Sequence, residues 1–334
     1  MNNKHTKIIQ ELGFPETSEI ETTGRLSISD VFPKSKNRCG IYCFKKSNET
    51  YYIGQALDVV RRFSQHCKNH DNIVCIWFQP VSKKNLDVVE KDLIFRAEKS
   101  GLPIINRSLV SSIIGETDLD FLVDIEMQEK WANSTKHTTH DNDRVNPPEK
   151  YRIRYRDSFL KLKQNKIYSD LKSLLKTYIK NCIPFPRKTE MSFWEVSCLP
   201  STNASHHPRY FALNIHQMEV FVAGYKPKTK DFWAFINTSK EIFLMGDVNI
   251  EDVFLKHQYS EIGYTDEVQY KSAGYDQINF DFTSVKDLQQ FLTESRFIES
   301  AKMFNLRLMR KGGTIYSKFH CFDLVDDVFG ESVL

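Results

Sequence analysis

The sequence has no apolar run near the roughly 18 residues that a membrane-spanning helix requires. Its first residues, MNNKHTKIIQELGF, contain no apolar signal core, so we expect no export. Seven cysteines lack the spacing of a disulfide framework, which favours a reducing cytoplasm. We see no internal repeat. These absences exclude the membrane-spanning, disulfide-rich secreted and repeat classes, and they predict a cytoplasmic protein without a membrane partner.

The length of 334 residues exceeds one typical domain, and 40% hydrophobic residues suffice for a sizeable core. The net charge of +3 is unevenly distributed. Residues 150–190 carry 12 Lys and Arg against 3 Asp and Glu, whereas residues 111–149 carry 3 against 9. A basic block of this size fits either a surface for a phosphate backbone or a solvated helix face. Charge alone does not choose between them.

Composition predicts four segments. Residues 1–35 form an N-terminal extension, residues 36–115 a small domain, residues 116–149 an acidic and polar linker, and residues 150–334 a basic helix followed by a strand-rich α+β domain. The linker contains His137 and His140, which we interpret as solvated.

The small domain alternates strand and helix patterns. Gly40–Phe44 and Tyr51–Gly54 read as a hairpin, and Ile73–Phe78 as a third strand. One helix carries an apolar stripe of Leu57, Val60 and Phe63, and a second runs from Asn85 to Lys99. This order predicts a small α/β layer structure.

The large domain begins with one predicted helix face, formed by Leu160, Ile167, Leu171, Leu174 and Tyr178. Short aromatic and β-branched runs then predict strands, and Val285–Met303 predicts a helix. The aromatic residues there suit either core packing or a stacking pocket for a base. They are Trp194, Phe211, Tyr225 and Trp233.

Two tripeptides carry the first candidate chemistry, Gly40-Ile41-Tyr42 and Tyr52-Ile53-Gly54. Alternate residues of a strand share a face, so both tyrosines should come together on paired strands while the isoleucines enter the core. Glycines beside them let another backbone approach closely.

Three charged or titratable side chains follow. Arg62 and His66, four residues apart, share a helix face and can grip a phosphate and relay a proton, although a solvated basic face has the same pattern. Glu90 lies within the apolar stripe of its helix, where an ionised carboxylate is costly unless a metal or an ion pair with Arg62 compensates it. Glu98, at the edge of that stripe, is a second candidate for a metal ligand.

In order and spacing, GIY at 40–42, YIG at 52–54, Arg62, His66, Glu90 and Asn106 resemble the GIY-YIG nucleases. The resemblance covers about residues 36–108. It implies a three-stranded antiparallel sheet flanked by helices, and hydrolysis of a DNA phosphodiester with one Mg²⁺ or Mn²⁺ ion.

The same resemblance implies a role for each residue. Glu90 would bind the metal, and Tyr42 would be the general base for the attacking water, assisted by His66. Tyr52 would hydrogen-bond the phosphate, Arg62 would stabilise its developing charge, and Asn106 would hold the geometry. A free tyrosine has a pKa near 10, so the pKa of Tyr42 must fall by about three. Arg62, the metal and His66 are the sources for that change, and the two tyrosines could exchange roles.

Other interpretations stay open. Zinc could be bound by Cys39, Cys43, Cys67 and Cys75, although these lack zinc-ribbon spacing and strand cysteines usually belong to the core. Cys198 with His206, His207 and His216, on a turn-rich stretch, is a slightly better set. A domain that binds nucleic acid without cutting it is the functional alternative. Within catalysis, we expect restriction or phage defence directed by the C-terminal domain, with repair or homing as alternatives. One active site cuts one strand, so cutting both strands requires a homodimer or two successive nicks.

Overall fold

The computed structural model describes residues 3–15, 19–68, 72–134, 144, 147–202, 204–246, 248–259, 261–267 and 270–331. The chain divides into two compact units, Met1–Ile114 and Gly115–Leu334. Both mix helices with antiparallel strands, so the fold class is α+β, as the sequence predicts.

The first unit contains one sheet and three helices among its described residues. The strands are β1 (Ile20–Glu21), β2 (Gly40–Lys46), β3 (Tyr51–Ala56) and β4 (Ile73–Pro80), and the helices are α1 (Asn3–Glu11), α2 (Val59–Cys67) and α3 (Leu86–Lys99). The strands run antiparallel in the order β1-β4-β2-β3. The sheet therefore has four strands instead of the predicted three, because two residues of the N-terminal extension pair with the edge of β4.

The two faces of this sheet have different partners. Ile41 and Ile53 pack with α1 and α3, whereas Tyr42 and Phe44 pack on the opposite face with α2. The alternation follows from the two-residue period of a strand. It confirms the predicted inward direction of both isoleucines.

The segment that the sequence assigns to an extension belongs to the core of the first unit. Ile9 and Phe14 are buried beneath the α3 face, and Ile28 is buried on the α2 face. Burial of these apolar side chains attaches the segment to the domain that follows it.

Helix α2 begins at an Asp58 N-cap, whose carboxylate accepts hydrogen bonds from the backbone N–H groups of Val60 and Arg61. Its buried face is formed by Val59 and Phe63. The predicted stripe is wrong by part of a turn, since Leu57 lies before the helix and is 60% exposed. The cap shifts the start of the helix past Leu57.

The second unit surrounds a six-stranded antiparallel sheet of order β5-β6-β7-β8-β10-β9. Its strands are β5 (Trp194–Cys198), β6 (Arg209–Ile215), β7 (Met218–Tyr225), β8 (Phe232–Thr238), β9 (Ile262–Thr265) and β10 (Ile278–Phe282). Its helices are α4 (Ile125–Asn133), α5 (Glu149–Arg152), α6 (Arg156–Lys163), α7 (Tyr168–Cys182), α8 (Pro186–Thr189), α9 (Lys240–Phe243), α10 (Ile250–Lys256), α11 (Val285–Phe291), α12 (Ser295–Arg310) and α13 (Phe322–Phe329).

Part of the predicted linker is folded. Leu119, Val123 and Trp131 are buried in the core of the second unit, and α4 lies within the 116–149 segment. Two of its apolar residues, Ile125 and Met127, are exposed, so the helix has no clear apolar stripe by which the sequence could reveal it. His137 and His140 lie outside the described residues.

The large domain also differs from its predicted helices in detail. Leu160 lies on α6 and is exposed, whereas Leu171, Leu174 and Tyr178 form the buried face of the separate helix α7. The predicted Val285–Met303 helix is interrupted after α11 and continues as α12. The apolar pattern was therefore correct for Leu171, Leu174 and Tyr178 but wrong for Leu160, and it did not show the turns between the helices.

The four aromatic residues that the sequence singles out in this domain differ in burial. Trp194 and Phe211 are buried in the core. Tyr225 and Trp233 are half-buried, and Trp233 stacks on Phe235 with an interplanar angle of 9°. Among the described residues, no helix is long and apolar enough to cross a membrane.

Candidate active site

The Tyr42 hydroxyl is the centre of the candidate site. Arg62 donates its Nε–H to the Tyr42 oxygen at 3.1 Å, and His66 Nε2 lies 3.2 Å from the same oxygen. Since Arg62 can only donate, the phenol proton points to His66 whenever Nε2 of the imidazole is unprotonated. Three residues from a strand and the helix after it thus form one hydrogen-bonded chain.

Two glycines make room for this arrangement. Tyr42 is paired across the hairpin with Gly54, and a Cβ atom at Gly54 would lie 2.5 Å from the Tyr42 hydroxyl oxygen. A Cβ atom at Gly40 would overlap the backbone carbonyl oxygen of Gln79 on β4. Both motif glycines are therefore required by sterics, although neither has a positive φ.

Tyr52 lies on the same face as Tyr42, two residue pairs further along the hairpin, opposite Phe44. The two rings are 6.2 Å apart, and the Tyr52 ring is 5.2 Å from the His66 imidazole. Tyr52 and His66 are half-buried, Arg62 is exposed, and Tyr42 is 0% exposed. The structure therefore brings together both tyrosines, Arg62 and His66, as the motif predicts.

The pKa of Tyr42 moves in the direction opposite to the one that the sequence argument required. Burial raises the pKa of this phenol, and the neighbouring Tyr52 and Glu90 raise it further. The Arg62 hydrogen bond and charge lower it, but they do not outweigh burial. Tyr42 therefore stays protonated at neutral pH in this arrangement.

Asn106 continues the edge of the sheet with its side chain. Its Oδ1 accepts a hydrogen bond from the Ile53 backbone N–H at 3.1 Å, and its Nδ2 donates to the Ile53 carbonyl at 2.7 Å. Just before it, Pro103 and Ile105 make the same two bonds with Tyr51 through their backbones. Asn106 holds β3 in place, which is a geometric role.

Glu90 reaches the site from a direction that the helix pattern did not indicate. From the apolar stripe one would expect Glu90 to face the same side of the sheet as Tyr42, but helix α3 packs on the opposite face. Glu90 is half-buried and lies beside Gln55, near the end of β3. Its carboxylate nevertheless raises the pKa of Tyr42, so it lies within electrostatic range of that phenol.

Gln55 and Asp87 are site neighbours that the motif did not identify. Gln55 donates its Nε2 to Asp87 Oδ1 at 2.7 Å and to Glu90 Oε2 at 2.9 Å. Two carboxylate oxygens one helical turn apart thus converge on a single nitrogen. The spacing of Asp87 from Glu90, and the position of Gln55 directly after YIG, were the available signals.

Glu98 binds backbone N–H groups of the segment after α3. Both of its carboxylate oxygens accept a hydrogen bond from the Ser111 backbone N–H at 2.9 Å, and Oε1 accepts another from Ser112. It therefore fixes the chain that follows α3. Glu90 remains the better placed of the two candidate metal ligands.

The Asp87 and Glu90 carboxylates fit a hard cation, and the Gln55 amide nitrogen now donates to both of them. Carboxylate and amide oxygens are the ligands that Mg²⁺ and Mn²⁺ prefer, and Mg²⁺ keeps several waters when one or two carboxylates hold it. No group of three His, Cys, Asp or Glu side chains converges anywhere in the described part of the chain. Neither of the two predicted sets of zinc ligands therefore comes together in the structure. Cys43 and Cys75 are buried thiols whose pKa is raised by burial.

Comparison with known proteins gives no match. No model of a protein family matches the chain, and neither a curated protein nor a solved structure is similar to it. The interpretation of the site therefore depends on its own geometry.

The basic block of the second unit is partly neutralised within the fold. Five of its cations pair with acidic side chains at the C-terminal end of the chain: Arg152 with Asp326, Arg156 with Asp323, Lys163 and Lys172 with Asp327, and Arg187 with Glu331. The surface charge of the block is therefore much smaller than its sequence charge. Sequence distances of more than 140 residues concealed these pairs.

Proposed function

We propose that the first unit is a metal-dependent DNA endonuclease of the GIY-YIG type that hydrolyses phosphodiester bonds. The observation that carries this proposal is the Tyr42 hydroxyl held between Arg62 Nε and His66 Nε2. A buried phenol joined to one fixed cation and one titratable imidazole is poorly explained by core packing alone. It is suited to moving a proton next to a phosphate.

Tyr42 and His66 act in this proposal as a proton relay. The attacking water gives its proton to the Tyr42 oxygen while the phenol passes its own proton to His66 Nε2. A free tyrosinate is never formed, so the raised pKa of Tyr42 is compatible with the role. The imidazole, which ordinarily titrates near neutral pH, holds the proton at the end of the step. Because Tyr42 is fully covered, side chains around it must move before water reaches the phenol.

Arg62 and Tyr52 bind the phosphate in this scheme. The Arg62 side chain is exposed and can donate to phosphate oxygens as negative charge develops there. Tyr52, half-buried beside His66, offers one further hydroxyl. Asn106 contributes by fixing β3.

Glu90 would hold Mg²⁺ or Mn²⁺, with Asp87 and Gln55 as its neighbours. The bound cation would withdraw charge from the scissile phosphate and would offset the effect of the Glu90 carboxylate on Tyr42. The support is the convergence of oxygen donors beside Gln55.

The biological setting in this proposal is restriction or phage defence in the cytoplasm, with DNA bound by the second unit. Seven free thiols support a reducing compartment. A single site per chain implies that cutting both strands requires a homodimer or two nicks.

The test is cleavage of supercoiled plasmid, modified and unmodified, by the purified protein with Mg²⁺, Mn²⁺ or EDTA. We expect nicked or linear product that depends on the metal and is lost in Arg62→Ala. DNA binding without any product under all metal conditions would replace the nuclease by a non-cleaving nucleic-acid-binding protein. A lag between nicked and linear product would indicate successive nicks, whereas a rate that rises with the square of protein concentration would indicate a dimer.

A further inference from the structure

Internal ion pairs leave only part of the basic block available to a ligand. Within the described residues, six of its cations have no carboxylate partner within ion-pair distance: Lys150, Arg154, Lys161, Lys166, Lys176 and Lys180. Two of these lie next to tyrosines: Lys150 precedes Tyr151 in α5, and Arg154 precedes Tyr155 on the turn that joins α5 to α6. This pairing of free charge with aromatic rings distinguishes them from the other four.

A second segment of the chain completes the same surface. Arg154 Nη1 and the Tyr155 hydroxyl both donate to the Lys318 carbonyl oxygen, at 3.3 and 3.0 Å. Phe319 follows Lys318 directly, so a third ring and a third cation belong to this group. We define Lys150, Tyr151, Arg154, Tyr155, Lys318 and Phe319 as the aromatic–basic surface.

Each ring of this surface has a cation beside it. Lys150 lies 5.0 Å from the Tyr151 ring centre, Arg154 lies 5.7 Å from Tyr155, and Lys318 lies 4.9 Å from Phe319. Tyr151 is 38% exposed and Phe319 is 42% exposed. Exposed apolar side chains are common on protein surfaces, so what marks these two rings is that each has a cation beside it.

We propose that the aromatic–basic surface binds single-stranded DNA by stacking bases on Tyr151 and Phe319 while Lys150, Arg154 and Lys318 contact phosphates. Stacking requires an unpaired base, because a duplex presents only base edges. Each cation lies over the face of its ring, so it leaves that face and turns to a phosphate when a base stacks there. Glu149 and Asp157 flank the surface and would oppose any acidic ligand in part. The choice of DNA rests on the proposed function.

The test is fluorescence anisotropy with the full chain in EDTA, so that binding is measured without cleavage. The probes are an oligonucleotide of about 20 nucleotides, longer than one such site, its duplex, and RNA of the same sequence. We expect tighter binding to single-stranded than to duplex DNA. Phe319→Ala and Tyr151→Ala should each weaken single-strand binding about 5- to 150-fold, the loss expected for one stacking ring. Tyr151→Phe should bind as the wild type does.

Two controls separate stacking from charge and from folding. Leu160→Ala removes an equally exposed apolar side chain outside the surface and should leave binding unchanged. Lys318→Ala should reduce the slope of log affinity against log salt concentration by up to about one, the value for a single phosphate contact. Ring variants with wild-type affinity and an unchanged melting temperature would overturn the proposal, as would preference for duplex or for RNA. Metal-dependent plasmid cleavage is measured in a separate experiment. A negative binding result therefore does not contradict the nuclease proposal, and a negative cleavage result does not contradict this one.

Discussion

Gln55 is hydrogen-bonded to Glu90, through an amide Nε2 that lies 2.9 Å from Glu90 Oε2. The bond joins the residue after YIG on β3 to the middle of α3. It places the proposed metal ligand beside the strand that carries Gly54, even though α3 packs on the sheet face opposite Tyr42.

Replacing Gln55 with Ala should weaken metal binding without removing a metal ligand. The amide orients the Glu90 carboxylate, and loss of a partner of this kind typically reduces metal affinity about 10-fold or more. The measurements are the Mg²⁺ concentration for half-maximal cleavage and calorimetric Mn²⁺ binding with bound DNA. Lys91→Ala, an exposed change on the same helix, is the control. An unchanged Mg²⁺ midpoint for Gln55→Ala would show that Glu90 needs no such orientation.

Replacing Tyr42 with Phe should abolish relay of the proton and reduce the cleavage rate about 100-fold or more, while DNA binding is retained. Tyr52→Phe should do less damage, since it removes one hydrogen bond worth roughly 0.5–3 kcal/mol. Single-turnover cleavage rates and DNA affinities of both variants provide the comparison. Equal and mild losses would remove the phenol from the relay and leave His66 to act alone.

Glu90→Ala and Glu98→Ala should fail in different ways. Glu90→Ala should lose metal-dependent cleavage and metal binding, because the carboxylate is the proposed ligand. Glu98→Ala should keep the Mg²⁺ midpoint but lower the free energy of unfolding by about 1–3 kcal/mol, since the Ser111 and Ser112 backbone N–H groups lose their acceptor. The same substitution at a solvated surface residue would leave the free energy of unfolding nearly unchanged. An inactive, fully stable Glu98→Ala would move the metal site to Glu98.

Glu195→Gln should stabilise the second unit near neutral pH. Glu195 is 1% exposed, it accepts a hydrogen bond from Asn214, and its Oε2 has no partner among the described residues. Burial raises its pKa well above the ordinary value of 4.5. The folded state therefore keeps a proton that the unfolded chain releases. Stability falls by roughly 1.4 kcal/mol for each pH unit above that ordinary value until the folded pKa is reached.

The glutamine cannot ionise, so the gain in stability over the wild type should grow as the pH rises above the ordinary glutamate pKa of 4.5. Urea unfolding across this range gives the difference at each pH. Glu251→Gln, an exposed change at the start of α10, should show no such trend. A constant difference for Glu195→Gln would mean that the folded carboxyl ionises normally.

Cations of the basic block should divide into two groups. Lys176→Gln with Lys180→Gln should lower the salt slope of DNA binding by up to about two, because these exposed lysines have no carboxylate partner among the described residues. Arg152→Gln should instead lower the melting temperature, since it leaves Asp326, which is 1% exposed, with fewer partners. Anisotropy over a salt series and thermal unfolding measure both effects. A lower salt slope with an unchanged melting temperature for Arg152→Gln would contradict this division into two groups.

The sequence by itself determined the local elements and the face that each motif residue occupies. Gly40, Tyr42, Tyr52 and Gly54 follow the two-residue period of a hairpin, and Arg62 and His66 follow the turn of one helix. These relations are short in sequence, so backbone geometry alone fixes them.

Tertiary structure decided what surrounds those residues. It turned α3 to the other side of the sheet, brought Gln55 to Asp87 and Glu90, and covered Tyr42 so that its pKa rises. It also neutralised much of the basic block with acidic residues from the far end of the chain. Burial and ion pairing depend on contacts between segments that are distant in sequence, and no local pattern encodes them.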